Sequence, residues 1–182
     1  HGTNGSSREY RLNTSENDFM AGKEDVFRIA MKKDEDVGDL MQVRIRHNNF
    51  WAMAGWYLKD IRVEQIGTGK SWLFPCDRWL AKGRDDGSID RTLDVVPDGK
   101  EPVTYYVSIT TGDLRNAGTN ARVFITLSGT AGSSPEVRLN DFGNDFRKGK
   151  TDTFRFPYAL DLGELESIRI RHDDSGLLSG WY

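Results

Sequence analysis

An antiparallel β-sandwich is the fold this 182-residue sequence predicts, and three observations predict it. Several short segments alternate apolar and polar residues with a period of two and are rich in β-branched and aromatic side chains. Gly, Asn and Asp cluster between them, about every 10 to 20 residues, which is the punctuation of a meander rather than of strand–helix units. The sequence also repeats itself over the length of an ordinary domain, and no segment shows a convincing amphipathic helical period.

Taken in order, Val43-Arg44-Ile45-Arg46-His47 alternates without a break and reads as a half-buried strand. Leu58 to Glu64 and Ser71 to Cys76 read as two further strands, joined by a turn at Gly67-Thr68-Gly69 where glycine supplies the left-handed backbone. Residues 94–102 carry two Pro, a Gly and several charges and read as a linker. Tyr105 to Thr111 and Ala121 to Leu127 are the clearest strands of the second half, and Ile168-Arg169-Ile170-Arg171-His172 repeats the half-buried pattern of residues 43–47.

Residues 2–29 lie over residues 129–156 without a gap, and after a two-residue slip Val37-Gly38, Val43 to His47 and Gly55-Trp56-Tyr57 answer Leu162-Gly163, Ile168 to His172 and Gly180-Trp181-Tyr182. An offset of this size is a domain, not a solenoid repeat. The chain is therefore expected to hold about one and a half units: a first copy over residues 1–93 lacking its first strands, the linker, and a second copy over residues 103–182 lacking its last strands. A chain that starts without Met is expected to be a piece of something longer. Copies cut this way expose sheet edges, and the segment 104–128 is expected to pair with the first copy.

Composition removes several function classes. With 28 acidic against 25 basic residues there is no basic field for nucleic acid. One cysteine, Cys76, cannot form an internal disulfide and reads as a small buried hydrophobe, which favours a reducing compartment over two weak glycosylation triplets at Asn4 and Asn13. No apolar run reaches the length of a membrane span. The three His stand apart and no nucleophile–base–acid set is visible, so no enzyme is expected. The Arg44/Arg46 and Arg169/Arg171 stripes read as solvated strand faces balanced by neighbouring carboxylates, with acidic headgroups as the alternative partner. Lys23 with Asp25, and Lys150 with Asp152, are expected to form weak ion pairs.

Thr111-Gly112-Asp113, Ala117-Gly118-Thr119-Asn120-Ala121, Val123 to Gly129, Asn144-Asp145-Phe146, Gly149 to Phe154, Ile168 to Asp174 and Gly180-Trp181-Tyr182 together resemble the PLAT (lipoxygenase homology, LH2) family, as does Phe74-Pro75-Cys76-Asp77-Arg78-Trp79-Leu80 in the first copy. The resemblance covers nearly the whole chain. It implies an eight-stranded sandwich of two four-stranded sheets, a non-catalytic module that targets membranes or protein partners, and in several members calcium at one end of the sandwich. In the second copy it assigns calcium to three loops: Asn116, Gly118 and Thr119 in the first, Asn140, Asp141, Gly143 and Asp145 in the second, and Asp173 with Asp174 in the third. Carboxylates and carbonyls on flexible loops suit calcium, and so many gathered acids need solvent or a cation. In the first copy Thr14, Glu16, Asn48 and Asn49 replace Asp141, Gly143, Asp173 and Asp174, so strong binding is not expected there.

Phe50, Trp51 and Met53, with Leu177 and Leu178 in the second copy, put apolar side chains where an end loop should be polar, which suits insertion at the headgroup boundary or burial against a neighbouring unit. Units in tandem are similar to the multi-unit PLAT proteins of hair-cell stereocilia, which link plasma membrane to cytoskeleton. The expected setting is cytoplasmic and membrane-peripheral, with a membrane lipid surface, a membrane-associated protein or adjoining PLAT units as partners. The alternatives are a purely protein–protein scaffold without lipid or calcium, or the PLAT appendage of a lipoxygenase or lipase.

Overall fold

The computed structural model describes residues 1–14, 17–32, 35–50, 54–139, 145–158, 160–173 and 175. Among them there are ten strands in antiparallel pairings and no α-helix: β1 (Gln42–Arg46), β2 (Trp56–Glu64), β3 (Ser71–Leu80), β4 (Asp90–Asp94), β5 (Val103–Thr110), β6 (Val123–Gly129), β7 (Gly132–Ser133), β8 (Val137–Arg138), β9 (Thr151–Tyr158) and β10 (Leu165–His172). No helix of the described residues is long and apolar enough to cross a membrane.

β2 and β3 form a hairpin in which Val63 faces Trp72 and Ile61 faces Phe74, closed by the expected turn with Gly67 and Gly69 both left-handed. β1 pairs with β4, setting Val43 opposite Leu93. The two sheets stack by their alternating apolar residues: Leu58, Phe74, Cys76, Leu80 and Leu93 are buried, and Val43, Ile45 and Trp56 pack against them. In the second copy β5 pairs with β9, while β6 pairs with β10 on one side and with β7 and β8 on the other. The inner faces again meet: Val123, Ile125, Leu127, Leu139, Phe146, Phe156 and Leu162 are buried, and Tyr105, Val107 and Ile109 of β5 pack on them. Each copy thus has its own sandwich core.

Duplicated sequence gives duplicated geometry wherever the partners are duplicated too. The amide of Thr3 donates to Asp39 O at 2.9 Å and that of Thr130 to Glu164 O at 3.0 Å, and the amides of Asp39 and Glu164 return bonds to the Thr3 and Thr130 hydroxyls at 3.1 and 3.2 Å. The backbone approach is so close that a Cβ on Gly129 would stand 2.3 Å from Leu162 O, and one on Gly2 2.4 Å from Val37 O. Glycine is required at both positions by contact, not by dihedral angle.

Where partners differ, the copies diverge. Residues 151–158 are a strand because β5 lies beside them, whereas the matching residues 24–31 form none. β1 joins β4, but its counterpart β10 joins β6. The half-buried face expected for residues 168–172 is also corrected. Ile168 and Ile170 are 58% and 42% exposed, because no described residues of the second copy take the place that β2 and β3 hold over Val43 and Ile45. The expected pairing of segment 104–128 with the first copy does not occur: β5 and β6 both find their partners inside the second copy, in β9 and β10, and there their inner faces bury a shared apolar core. The copies touch instead through β3 and β9, with Asp77 ion-paired to Arg155 and the Arg138 guanidinium donating to Asp86 O at 2.9 Å.

Candidate calcium and membrane loops

The first loop of the second copy leaves β5 at Thr111 and turns through Asn116, which is exposed and left-handed at φ 61°. Asn tolerates that conformation better than most residues. Ala117 and Thr119 are buried, the Thr119 hydroxyl accepts from the amide of Ala121 at 3.1 Å, and the Thr119 amide donates to Phe146 O at 3.1 Å. Gly118 lies so close to residues 146–148 that a Cβ there would meet Phe146 O at 3.0 Å. The first loop therefore packs directly on the end of the second, where Asp145 is half-buried.

That second loop turns at Phe146, left-handed at φ 57°, whose amide donates to Asp152 Oδ2 at 2.8 Å. The first copy does the same with Phe19, at φ 63°, and Asp25 Oδ2, at 2.8 Å. The ion pairs expected of these aspartates with Lys23 and Lys150 are thereby corrected: each carboxylate accepts from a turn amide. A short-range backbone donor six residues away is fixed by the fold, whereas a surface lysine would lose rotamer freedom to pair.

Asp173 joins the third loop to the first. Its Oδ1 accepts from the amides of Arg122 and Ser175, both at 3.0 Å, and from the Ser175 hydroxyl at 2.5 Å, and its own amide donates to Arg122 O at 3.1 Å. The Arg122 guanidinium stands 3.7 Å from Oδ2. Hydrogen bonding by Ser175 leads these contacts in lowering the carboxyl from its usual range to about 2, against a smaller opposing effect of burial.

Among the described residues, the first loop touches the end of the second at Gly118 and Phe146, and Asp173 is tied to Arg122 at the end of the first. Asn140, Asp141, Gly143 and Asp174 lie outside the described residues, as do Trp51, Met53, Leu177 and Leu178. Among the described residues no three His, Cys, Asp or Glu side chains gather as metal ligands. A divalent ion would find Asp173 Oδ1 already holding three donors, so the described residues alone do not make a complete calcium shell. In the first copy the Asp145 counterpart, Asp18, accepts from the amide of Thr14 at 2.5 Å and from its hydroxyl at 2.9 Å.

Phe50 is 75% exposed at the tip that follows β1. His47 fixes that tip. One ring nitrogen, Nε2, donates to Leu80 O at 2.9 Å, and Nδ1 accepts from the Asn49 amide at 3.1 Å. Asn49 is left-handed at φ 52°, and the Phe50 amide donates to Asn48 Oδ1 at 3.2 Å.

One network escaped the sequence reading. Arg78, Asp85, Asp86 and Arg91 form a mostly buried ion-pair cluster, with Arg91 Nη2 at 2.6 Å from Asp86 Oδ1 and 2.8 Å from Trp79 O. Burial pushes Asp86 up, but the hydrogen bond from Arg91 and the charges of Arg78 and Arg91 prevail and hold its carboxyl below the usual range. The adjacent Asp85-Asp86-Gly87 turn residues were the one available signal. The arginine stripes behave as solvated faces should: Arg44 pairs with Asp90, Arg46 with Glu9 and Arg171 with Glu136. Cys76 is buried, which raises its thiol pKa, as befits a packing residue.

The loops on a two-layer antiparallel stack, the repeated glycine contacts and the Phe–Asp turn locks define a lipoxygenase-homology sandwich. Residues 1–94 and 105–182 match the PLAT/LH2 domain, and the chain belongs to that family. Among particular proteins, it is 36% identical to mouse lipoxygenase homology domain-containing protein 1 and 35% identical to the human protein of the same name, over all of this chain and 9% of each relative. The polycystin family receptor for egg jelly of mouse is 38% identical over 47% of this chain and 4% of its own length. The chain spans less than a tenth of these relatives. A solved coral 8R-lipoxygenase, described by its calcium activation via a C2-like domain, is 30% identical over 41% of this chain and 11% of its own, with a TM-score of 0.38.

Proposed function

We propose that the chain is a non-catalytic targeting module, two PLAT units in tandem over residues 1–93 and 103–182, which docks a multi-unit protein to a membrane surface and links plasma membrane to cytoskeleton. The proposed setting is the cytoplasmic face of a membrane, that of hair-cell stereocilia included. The observation that carries this reading is Phe50, largely exposed on a tip that His47 and Asn48 hold by hydrogen bonds. An aromatic ring presented on a fixed turn enters the headgroup boundary with little further loss of conformational entropy. Calcium regulation of the second copy belongs to the same proposal. Asp145 and Asp173, with Asn140, Asp141 and Asp174, would hold the ion, and Asn116, Gly118 and Thr119 would line it. Bound calcium would cancel the acidic charge that opposes an anionic bilayer.

Cosedimentation with vesicles of phosphatidylcholine and phosphatidylserine, in calcium and in chelator, tests both parts. Binding is expected to weaken on Phe50→Ala and Trp51→Ala, and binding indifferent to both would remove insertion in favour of the protein–protein scaffold. Calcium dependence is expected to disappear with Asp145→Ala.

A further inference from the structure

We propose that His47 is a pH-sensitive clasp on the Phe50 tip: the neutral ring holds the turn, and a proton on the ring releases it. Partner chemistry fixes the state of the ring. The Leu80 carbonyl can only accept, so Nε2, 2.9 Å away, carries the hydrogen. The Asn49 amide can only donate, so Nδ1, 3.1 Å away, presents a lone pair. An imidazolium carries hydrogen on both nitrogens and has no lone pair to present. Protonated, His47 would set Nδ1–H against the Asn49 N–H, and one of the two must turn away.

The anchoring of each decides which one moves. The His47 amide donates to Ile89 O at 3.2 Å, one step beyond the last β1–β4 pair, and its ring is tied to the end of β3 at Leu80, so this residue is fixed to the sandwich at both ends. Asn49 is held from the ring, in a left-handed turn at φ 52°. The tip is thus two overlapping turns, each closed by a side chain on the amide two residues further on: His47 on Asn49, and Asn48 on Phe50. Asn48 does not titrate, so the proton acts on the first turn. The charged groups on the strands and loop around the ring are engaged with other partners: Arg46 with Glu9, Arg44 with Asp90, Arg78 with Asp85, Arg91 with Asp86, and Arg84 over Trp79. Lys82 is exposed. None of them is a partner of either ring nitrogen, so the switch lies in the ring and the Asn49 amide. Neutral rings prevail above the ordinary histidine range, about pH 6.5, so the tip is closed at higher pH and opens below it. The consequence for membranes rests on the targeting proposal: an opened tip has to be ordered again at the headgroup boundary, which weakens docking in acid.

Nuclear magnetic resonance of the whole 15N-labelled chain, titrated between about pH 8 and pH 5, tests the clasp. The His47 ring nitrogens are expected to report the Nε2–H form at high pH, and the Asn49 and Phe50 amide resonances to move with the midpoint of the ring. His47→Asn offers an oxygen to the same amide two residues on and does not titrate, so those amides should hold their high-pH positions throughout. A thermal melt verifies that the variant folds, and the titration of the unaltered chain decides without it. Cosedimentation with phosphatidylcholine vesicles in chelator, a surface without net charge, reads the consequence. Binding should weaken about fivefold from about pH 7.5 to pH 5.5, the loss of one ordering hydrogen bond, and stay level in His47→Asn. A ring that titrates while the Asn49 amide stays in place, an Nδ1–H form at high pH, or an equal amide step in His47→Asn would overturn the clasp. Coupled amide steps with vesicle binding indifferent to both pH and Phe50→Ala would uphold the clasp and overturn the targeting reading. Vesicle binding that Phe50→Ala weakens but pH does not would overturn the link between the two.

Discussion

At the scale of single residues, Asp173 is the acid-sensitive fastener of the candidate site. Its carboxyl pKa is lowered to about 2, so its contribution is complete above the ordinary aspartate range, near pH 4, and is lost as pH falls through about 2. The Ser175 and Arg122 amide resonances are accordingly expected to stay in their native positions down to about pH 3 and to shift together near pH 2. Asp173→Asn should abolish that shared step. Gly129 makes a sharper steric case. Gly129→Ala drives a methyl into the Leu162 and Glu164 carbonyls and is expected to cost about 2 to 3 kcal/mol in a denaturant melt, whereas Gly83→Ala, with open space around it, should stay within about 0.5 kcal/mol. Gly129 was legible in the sequence as a repeated residue, but not as a contact. The reason for glycine there lies 33 and 35 residues away, in the Leu162 and Glu164 carbonyls that only the folded chain brings near.

At the scale of elements, strand identity was legible and strand pairing was not. Alternation in residues 43–47 and 168–172 fixes which side chains share a face, and both segments are strands. It does not fix what covers that face, and so Val43 and Ile45 pack on a core while Ile168 and Ile170 remain exposed. The same limit explains residues 24–31, which match β9 in sequence but make no strand: half of a ladder carries no hydrogen bonds until the other half is beside it. β4 was missed because Asp90-Arg91-Thr92 looks like surface, and its arginine is in fact 10% exposed inside an ion-pair cluster. That cluster ties β3 to β4 through the 84–88 turn. Arg78→Met is expected to destabilise the first copy by about 3 kcal/mol, since it strands Asp85 and Asp86 with one cation between them, and a urea melt followed by tryptophan fluorescence reads it.

At the scale of the whole molecule, the distribution of buried side chains decides how the chain comes apart. One core is built from residues 40–95 and the other from residues 105–162, and they share no member. Among the described residues, what joins them includes the Asp77–Arg155 pair, the bond from Arg138 to Asp86 O and the neighbouring edges of β3 and β9. Partly exposed ion pairs couple weakly, about 1 kcal/mol or less, whereas deleting a buried phenylalanine ring costs about 3 to 5 kcal/mol. Damage to one core should therefore stay in that core. Phe74→Ala, which empties a fully buried site between β2, β3 and β4, is expected to strip hydrogen-exchange protection from β1 to β4 while β5, β6 and β9 keep theirs. Phe156→Ala should do the reverse. Simultaneous loss of protection across all ten strands in either variant would mean that the copies unfold as one body, and that β3 and β9 carry far more coupling than their polar contacts provide.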